Sequence, residues 1–517
     1  MKRINYVLDE QYKKIPYNVK IAFVSALIIG LIAHLYMFTN KFPNYDDMAL
    51  NGFGATFRLG RWFLWVLGSV AYHLDLVYSI PLINGMVSLL LLAISSSIIV
   101  YLLDVKSNIA VVIISGILVV FPSWTATYFF MFTAPYYAVA VLLMVLSVYF
   151  SWNYKYGFIL GICCIALSVG IYQAYLPFGA SLYVILLLKK LINNDVEWKK
   201  VFRLAVKSLC VLIAGVVVYY IIMRLSLIVT NQELADYKGT GQMGQVSMSL
   251  IPQILQSIFT DGLGVIVNNN IEISYNLLLK VGYMALFLVD IILFGVCCKR
   301  FVTNKEFGRM LMFVLLIVAV FVAINGIFIM CPTEGAVYSL MTYAYAFYII
   351  LPVCMIEWLL SVRENRSENL IIAVEYGVVI TSVAMIFNYC HFSNSQYLSM
   401  QLTYEQAKGF YTTLITQIKS VDGYTDDMPI AIIEDEAKIE DKTLYRNQVM
   451  DVFDISGRDD VLVETYSREY LLAYYCGFDP EYVADDFISE DIVKSMPNYP
   501  KEGSIQVIDG VVVVKLN

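Results

Sequence analysis

The sequence predicts an all-α polytopic membrane protein that ends in a small α/β domain outside the bilayer. Apolar runs of roughly 18–25 residues recur through residues 21–389, each long enough to cross a hydrocarbon core about 30 Å thick as a helix. Only 15% of the chain is charged, against about 25% in soluble proteins. Composition then changes after about Ser393, where acids concentrate and the apolar stretches shorten. The brief alternating segments of a membrane β-barrel are not seen.

Taken in order, the apolar runs give 11 spans: 21–38, 80–103, 109–121, 136–151, 157–172, 175–188, 208–229, 276–297, 310–330, 338–360 and 370–389. Residues 1–20 are polar, and no small-residue cleavage site follows the first run, so that run is read as a retained anchor rather than a signal peptide. Segment 62–78 is apolar enough to span. Making it cross would reverse every later loop and break the charge bias below, so it is read as an interfacial or re-entrant helix.

Lysine and arginine set the orientation. One side carries Lys2, Arg3, Lys13, Lys14 and Lys20, then Lys106, Lys155, Lys189, Lys190, Lys199, Lys200 and Arg203, then Lys299, Arg300, Lys305, Arg309, Arg363 and Arg366. Opposite loops 122–135 and 331–337 carry neither residue. The N-terminus is therefore expected in the cytoplasm and everything after Tyr389 outside. Trp62, Trp65 and Trp124 would mark the outer boundary, and Trp152, Trp198 and Trp358 the inner one. The expected organisation is a cytoplasmic segment 1–20, a membrane domain 21–392 with outer loops 39–79 and 230–275, and an extracytoplasmic α/β domain 393–517. A short helix is expected near 252–259, a helix at 404–419, and strands at 430–433 and 511–514.

The net charge of −7 argues against a nucleic-acid partner. Cysteine spacing fits neither a zinc site nor a disulfide framework.

The chemistry concentrates in the first outer loop. It reads Asn-Lys-Phe-Pro-Asn-Tyr-Asp-Asp-Met at 40–48 and Arg-Leu-Gly-Arg-Trp at 58–62. A carboxylate of Asp46 or Asp47 can take a proton from a hydroxyl. The guanidinium pair Arg58 and Arg61 can grip a phosphate in a bidentate way. Together, at headgroup depth, they suit transfer of a sugar from a lipid phosphate. The plainer readings are a helix cap near Met48 for the acids and snorkelling for the arginines. His34 is read as packing or bonding locally, Asp290 as an intramembrane carboxylate that must face protein or water.

The first span, the acidic pair and the Arg-x-Gly-Arg-Trp stretch, with Gly-Ile-Tyr-Gln-Ala-Tyr-Leu-Pro-Phe at 170–178, resemble the GtrII family of membrane glucosyltransferases. The resemblance covers roughly residues 20–390. It implies a GT-C-like, inverting hexosyltransferase of the bacterial cytoplasmic membrane. The implied donor is glucose on undecaprenyl phosphate, and the implied acceptor is a hydroxyl of a surface polysaccharide such as O-antigen. A separate donor synthase and a flippase would supply the donor. Asp46 or Asp47 would be the base, Arg58 and Arg61 would hold the donor phosphate, and Tyr45, Trp62, Tyr172, Gln173, Lys238 and Glu334 would line the substrate cavity. For Tyr172 and Gln173 a hydrogen bond between helices is the competing reading. The sequence departs from the pattern in the loop after span nine, where no late arginine stands near Cys331. No cofactor is expected: a hydroxyl acceptor does not require a metal, although the two aspartates have the chemistry to bind a divalent ion. A transporter or flippase would want ionisable groups at mid-membrane and an internal repeat; an acyltransferase would want a membrane histidine with polar companions; a polysaccharide polymerase would want arginine-rich outer loops.

Overall fold

The computed structural model describes residues 10, 12–193, 196–235, 250–267, 276–331, 337–362, 369–433, 463, 465–483 and 489–516. The chain divides into two compact units. The first comprises Met1–Lys41, Asn51–Ser395 and Ile455–Gly457; the second comprises Phe42–Leu50, Gln396–Asp454 and Arg458–Asn517.

The first unit is helical. In order it contains α1 (Tyr17–Thr39), α2 (Trp62–His73), α3 (Pro81–Leu103), α4 (Asn108–Val120), α5 (Pro122–Tyr128), α6 (Ala134–Asn153), α7 (Gly157–Ile171), α8 (Leu176–Ile192), α9 (Trp198–Thr230), α10 (Ile251–Val267), α11 (Leu277–Thr303), α12 (Phe307–Ile324) and α13 (Phe347–Val362). Helix α14 (Asn369–Lys419) follows and contributes residues to both units. Among the described residues, ten helical stretches are long and apolar enough to cross a membrane, and α7 is a shorter apolar helix of 15 residues. The polytopic all-α architecture is thus present. Helix α2 has 12 residues, about 18 Å at 1.5 Å per residue, which is too short to span.

Lipid cannot drive apolar helices together, so close packing must. Helices α1 and α3 interlock at small residues: a Cβ on Gly30 would fall 2.3 Å from Leu89, and one on Gly85 would fall 2.2 Å from Phe38. Polar links add direction. Tyr283 and Tyr389 share a hydrogen bond of 2.7 Å between α11 and α14, and the Asn276 amide donates to Asn388 at 3.0 Å. His34 bonds the Val119 carbonyl at 2.9 Å, linking α1 to α4. Asp290 is buried on α11, and its Oδ1 has no hydrogen-bond partner among the described residues. On its outer face α9 leaves Ile213, Val217, Ile221 and Ile228 exposed, as a lipid-facing helix does.

At the lysine-bearing end, charged side chains close helix termini. Glu357 accepts from the Lys106 and Ser107 amides at 2.9 and 3.0 Å, capping the start of α4. Arg300 donates to the Ile192 carbonyl, and Arg309 to those of Leu191 and Val196. Of the tryptophans read as boundary markers, Trp124 and Trp358 are 1% and 2% exposed: Trp124 meets Tyr343 edge-on, and Trp358 donates to the Leu103 carbonyl. Both are packed within the bundle.

The second unit contains the distal part of α14, α15 (Thr465–Tyr470), α16 (Glu490–Ser495) and a sheet of β1 (Ile430–Ile433), β2 (Ile505–Ile508) and β3 (Val511–Lys515). Strand order is β1-β3-β2, with β1 parallel and β2 antiparallel to β3. Both strands read from the sequence are present. Central β3 is apolar on both faces: Val512 and Val514 join Tyr411, Leu414, Ile418 and Ile430, while Val511 and Val513 meet Ala431 and Met496. Each fully buried aliphatic side chain there contributes about 1.5–3 kcal/mol. The span read at 370–389 and the helix read at 404–419 are one continuous helix, because neither Gly nor Pro interrupts 378–408.

Candidate functional site

The acidic pair belongs to the second unit. The Asn44 side-chain oxygen accepts from the backbone amides of Asp46 and Asp47 at 3.0 and 3.1 Å, winding Tyr45–Asp47 into one 3-10 turn. Asn44 is therefore the cap of this stretch, and no helix begins at Met48. Met48 instead enters the core beside Ala407 and Tyr411. The turn points its two carboxylates differently: Asp47 is 3% exposed, whereas Asp46 faces out. Tyr45 is buried.

Two tyrosines from the far end of the sequence meet the acids within this unit. The Tyr466 hydroxyl donates to Asp46 Oδ1. Tyr475 lies close enough to Asp47 to feel its charge. Burial first, and the Asp47 charge second, push the Tyr475 phenol above the ordinary tyrosine range, so it stays protonated.

The arginine pair belongs to the first unit, as do Trp62, Tyr172 and Gln173. Here the structure brings two distant motifs together. Helix α7 ends at Ile171, Tyr172 is extended (φ −152°, ψ 116°), and Gln173–Tyr175 form a 3-10 turn before α8 starts at Leu176 with Pro177 in its first turn. This corner receives the Arg-Leu-Gly-Arg-Trp stretch. The Gln173 amide donates to the Leu59 carbonyl at 2.8 Å and to the Tyr219 hydroxyl at 3.1 Å. Gly60 adopts φ +71°, a left-handed value that closes the turn Phe57–Leu59, and a Cβ there would lie 2.6 Å from Tyr219 Oη. Gly170 answers it: a Cβ there would lie 2.8 Å from the Trp62 ring.

The consequence falls on Arg61. Its guanidinium lies over the Tyr172 ring at 5.0 Å, and Tyr172 in turn stacks on Tyr137 at 4.5 Å. Arg61 Nε is buried and has no hydrogen-bond partner among the described residues. A guanidinium held against an aromatic face keeps its charge and its planar set of N–H donors. The Arg58 side chain is exposed, and its backbone carbonyl accepts from the Ala235 amide at 2.8 Å.

Lys238 and Glu334 lie outside the described residues, as do Asp236 and Tyr237. Among the described residues, no three or more His, Cys, Asp or Glu side chains converge as a metal site would require. Sequence reasoning missed Tyr137, Tyr219, Tyr466 and Tyr475. Only the density of tyrosines at 466–475 could have hinted at the last two, because their partners lie more than 400 residues away.

A bundle of apolar helices, ten of them long and apolar enough to cross a membrane among the described residues, defines a multi-pass membrane protein, with an arginine and stacked tyrosines gathered where α7 meets α8. Residues 35–356, more than half of the chain, match the glucosyl transferase GtrII family, and the chain belongs to that family. It is a membrane glucosyltransferase. No curated protein and no solved structure gives a significant match.

Proposed function

We propose that this glucosyltransferase takes glucose from a polyprenyl phosphate, such as undecaprenyl phosphate, and passes it to a hydroxyl of a surface polysaccharide such as O-antigen. The reaction is assigned to the outer side of a bacterial cytoplasmic membrane. The clustering of lysine and arginine at one end of the bundle supports a cytoplasmic N-terminus and an external C-terminal domain. A donor synthase and a flippase would act earlier in the same sequence of reactions.

The observation that supports the donor assignment is Arg61, stacked on Tyr172, whose buried Nε has no hydrogen-bond partner among the described residues. Arg61 grips the donor phosphate, and the more exposed Arg58 adds charge. Asp46 or Asp47 serves as base. The acceptor oxygen attacks the anomeric carbon from the face opposite the phosphate, and its proton passes to the carboxylate. The bond from the anomeric carbon to the phosphate oxygen breaks, and polyprenyl phosphate leaves with that electron pair. The product has inverted configuration. One carboxylate suffices because the phosphate leaves without protonation, unlike the alkoxide of a glycoside. Tyr45, Trp62, Tyr172, Gln173, Lys238 and Glu334 are assigned to the substrate cavity on the same reading. Tyr466, bonded to Asp46, is assigned as a positioning residue for that carboxylate.

Purified full-length protein, given radiolabelled glucose either on polyprenyl phosphate or on a nucleotide, tests the donor. Transfer to polysaccharide from the lipid donor alone is expected. Transfer from the nucleotide alone, or movement of the lipid sugar without a covalent product, would overturn the assignment.

A further inference from the structure

At the opposite end of α7 and α8 from the Arg61 corner, the first unit holds a cavity of about 610 Å³. The ends of α3, α6 and α8 and the flank of α9 enclose it. Four lysines, Lys155, Lys189, Lys190 and Lys207, line it against one acid, Asp104. Ser151, Asn153 and Ser208 add neutral hydrogen-bonding groups, and Trp152 adds an aromatic wall.

The lysines divide by what already holds them. Lys189 donates to the Leu102 carbonyl at 3.2 Å and lies 3.8 Å from Asp104, so it closes a helix end. Lys155, Lys190 and Lys207 form no ion pair among the described residues. Each ammonium instead rests near an aromatic ring: Tyr156 at 5.3 Å, Trp152 at 5.9 Å and Phe158 at 5.8 Å. The C-terminal ends of three helices disfavour an anion here, but each carries only about half a charge, and that is screened. Three cations with no ion-pair partner among the described residues outweigh it. The sugar-transfer reaction has no use for them, because they lie about 22 Å from the Arg61 corner along the 15 residues of α7.

We propose that this cavity is a binding site for a phosphate-bearing anion, independent of the catalytic reading. An anionic lipid headgroup and a free phosphate or pyrophosphate share that chemistry. Basic pockets between helix ends, floored by interfacial aromatics, suit a phosphate diester at the membrane surface.

The test is native mass spectrometry, with thermal melting, of the detergent-purified full chain. It would be titrated separately with phosphatidylglycerol, phosphatidylcholine, inorganic phosphate and pyrophosphate. Phosphatidylglycerol binding that weakens about 100-fold in the K155Q/K190Q/K207Q triple variant supports a lipid site. Protection by phosphate or pyrophosphate alone, lost in the same variant, supports a soluble phosphate. Asp104→Asn supplies a test of opposite sign: it removes the one acid among the described lining residues, keeps a residue tolerant of the left-handed backbone at φ +52°, and should tighten binding several-fold. No anion binding to the wild type, equal binding of phosphatidylcholine, or unchanged affinities in both variants would overturn the proposal.

Discussion

The side-chain amide of Gln173 donates to the backbone carbonyl of Leu59 at 2.8 Å, joining two stretches 114 residues apart. That bond holds the Arg58–Trp62 turn against the α7–α8 corner. Replacing Gln173 with Leu removes this partner from a part-buried carbonyl, which costs about 1 kcal/mol. If the turn carries the donor-binding arginine, the effect falls on the lipid donor, with KM raised roughly 10-fold and kcat less affected. Steady-state kinetics with varied donor checks this; an unchanged donor KM would count against the corner as part of the site.

Gly60 and Gly170 should tolerate nothing larger. Alanine at 60 must hold a left-handed backbone, at about 1–2 kcal/mol, and push on Tyr219; alanine at 170 must displace Trp62. Both variants should lower the melting temperature of the detergent-solubilised protein and reduce transfer. Alanine at Gly377, an exposed helical position where a Cβ meets nothing, is the control and should leave transfer unchanged and the melting temperature equal or slightly higher.

Arg61→Lys keeps the charge and loses the planar fork that stacks on Tyr172. The expected result is a donor KM raised about 10-fold or more, with acceptor KM unchanged. Equal activity of the lysine variant would show that only a point charge is needed.

The architecture was legible where single features repeat along the chain. Apolar runs gave the spans, and the valines at 511–514 gave the strand, because length and pattern are local properties. Two kinds of feature were not legible. The fusion of 370–389 with 404–419 into α14 depends on the absence of a breaker across polar residues, which hydropathy treats as a gap. The aromatic partners Tyr137, Tyr219, Tyr466 and Tyr475 depend on contacts far apart in sequence, and tyrosine is common here, with 39 in the chain. Within the site, the residue types at 58–62 and 170–178 were readable, but not their contact. Asn44 was passed over, because a cap on a three-residue turn leaves no periodic signature.

Tyr475 gives a pH prediction. Burial and the Asp47 charge favour the neutral phenol in the folded state, so its folded value is raised. A raised value means the contribution to stability is complete below about pH 10, the unfolded tyrosine value, and is lost as pH rises through the folded value. Tyr475→Phe should therefore flatten the alkaline fall in stability relative to wild type. Melting of the full chain at pH 8 and pH 11 checks it; parallel declines would contradict it.

The most direct measurement is glucosyl transfer from polyprenyl phosphate glucose by the wild type, Asp46→Asn and Asp47→Asn, each with donor affinity measured alongside. A general base contributes roughly 10²–10⁴-fold. The account predicts that one of the two variants loses that much kcat while still binding donor, and that the remaining wild-type product has inverted anomeric configuration. Near-wild-type turnover by both variants, or a product of retained configuration, would contradict it.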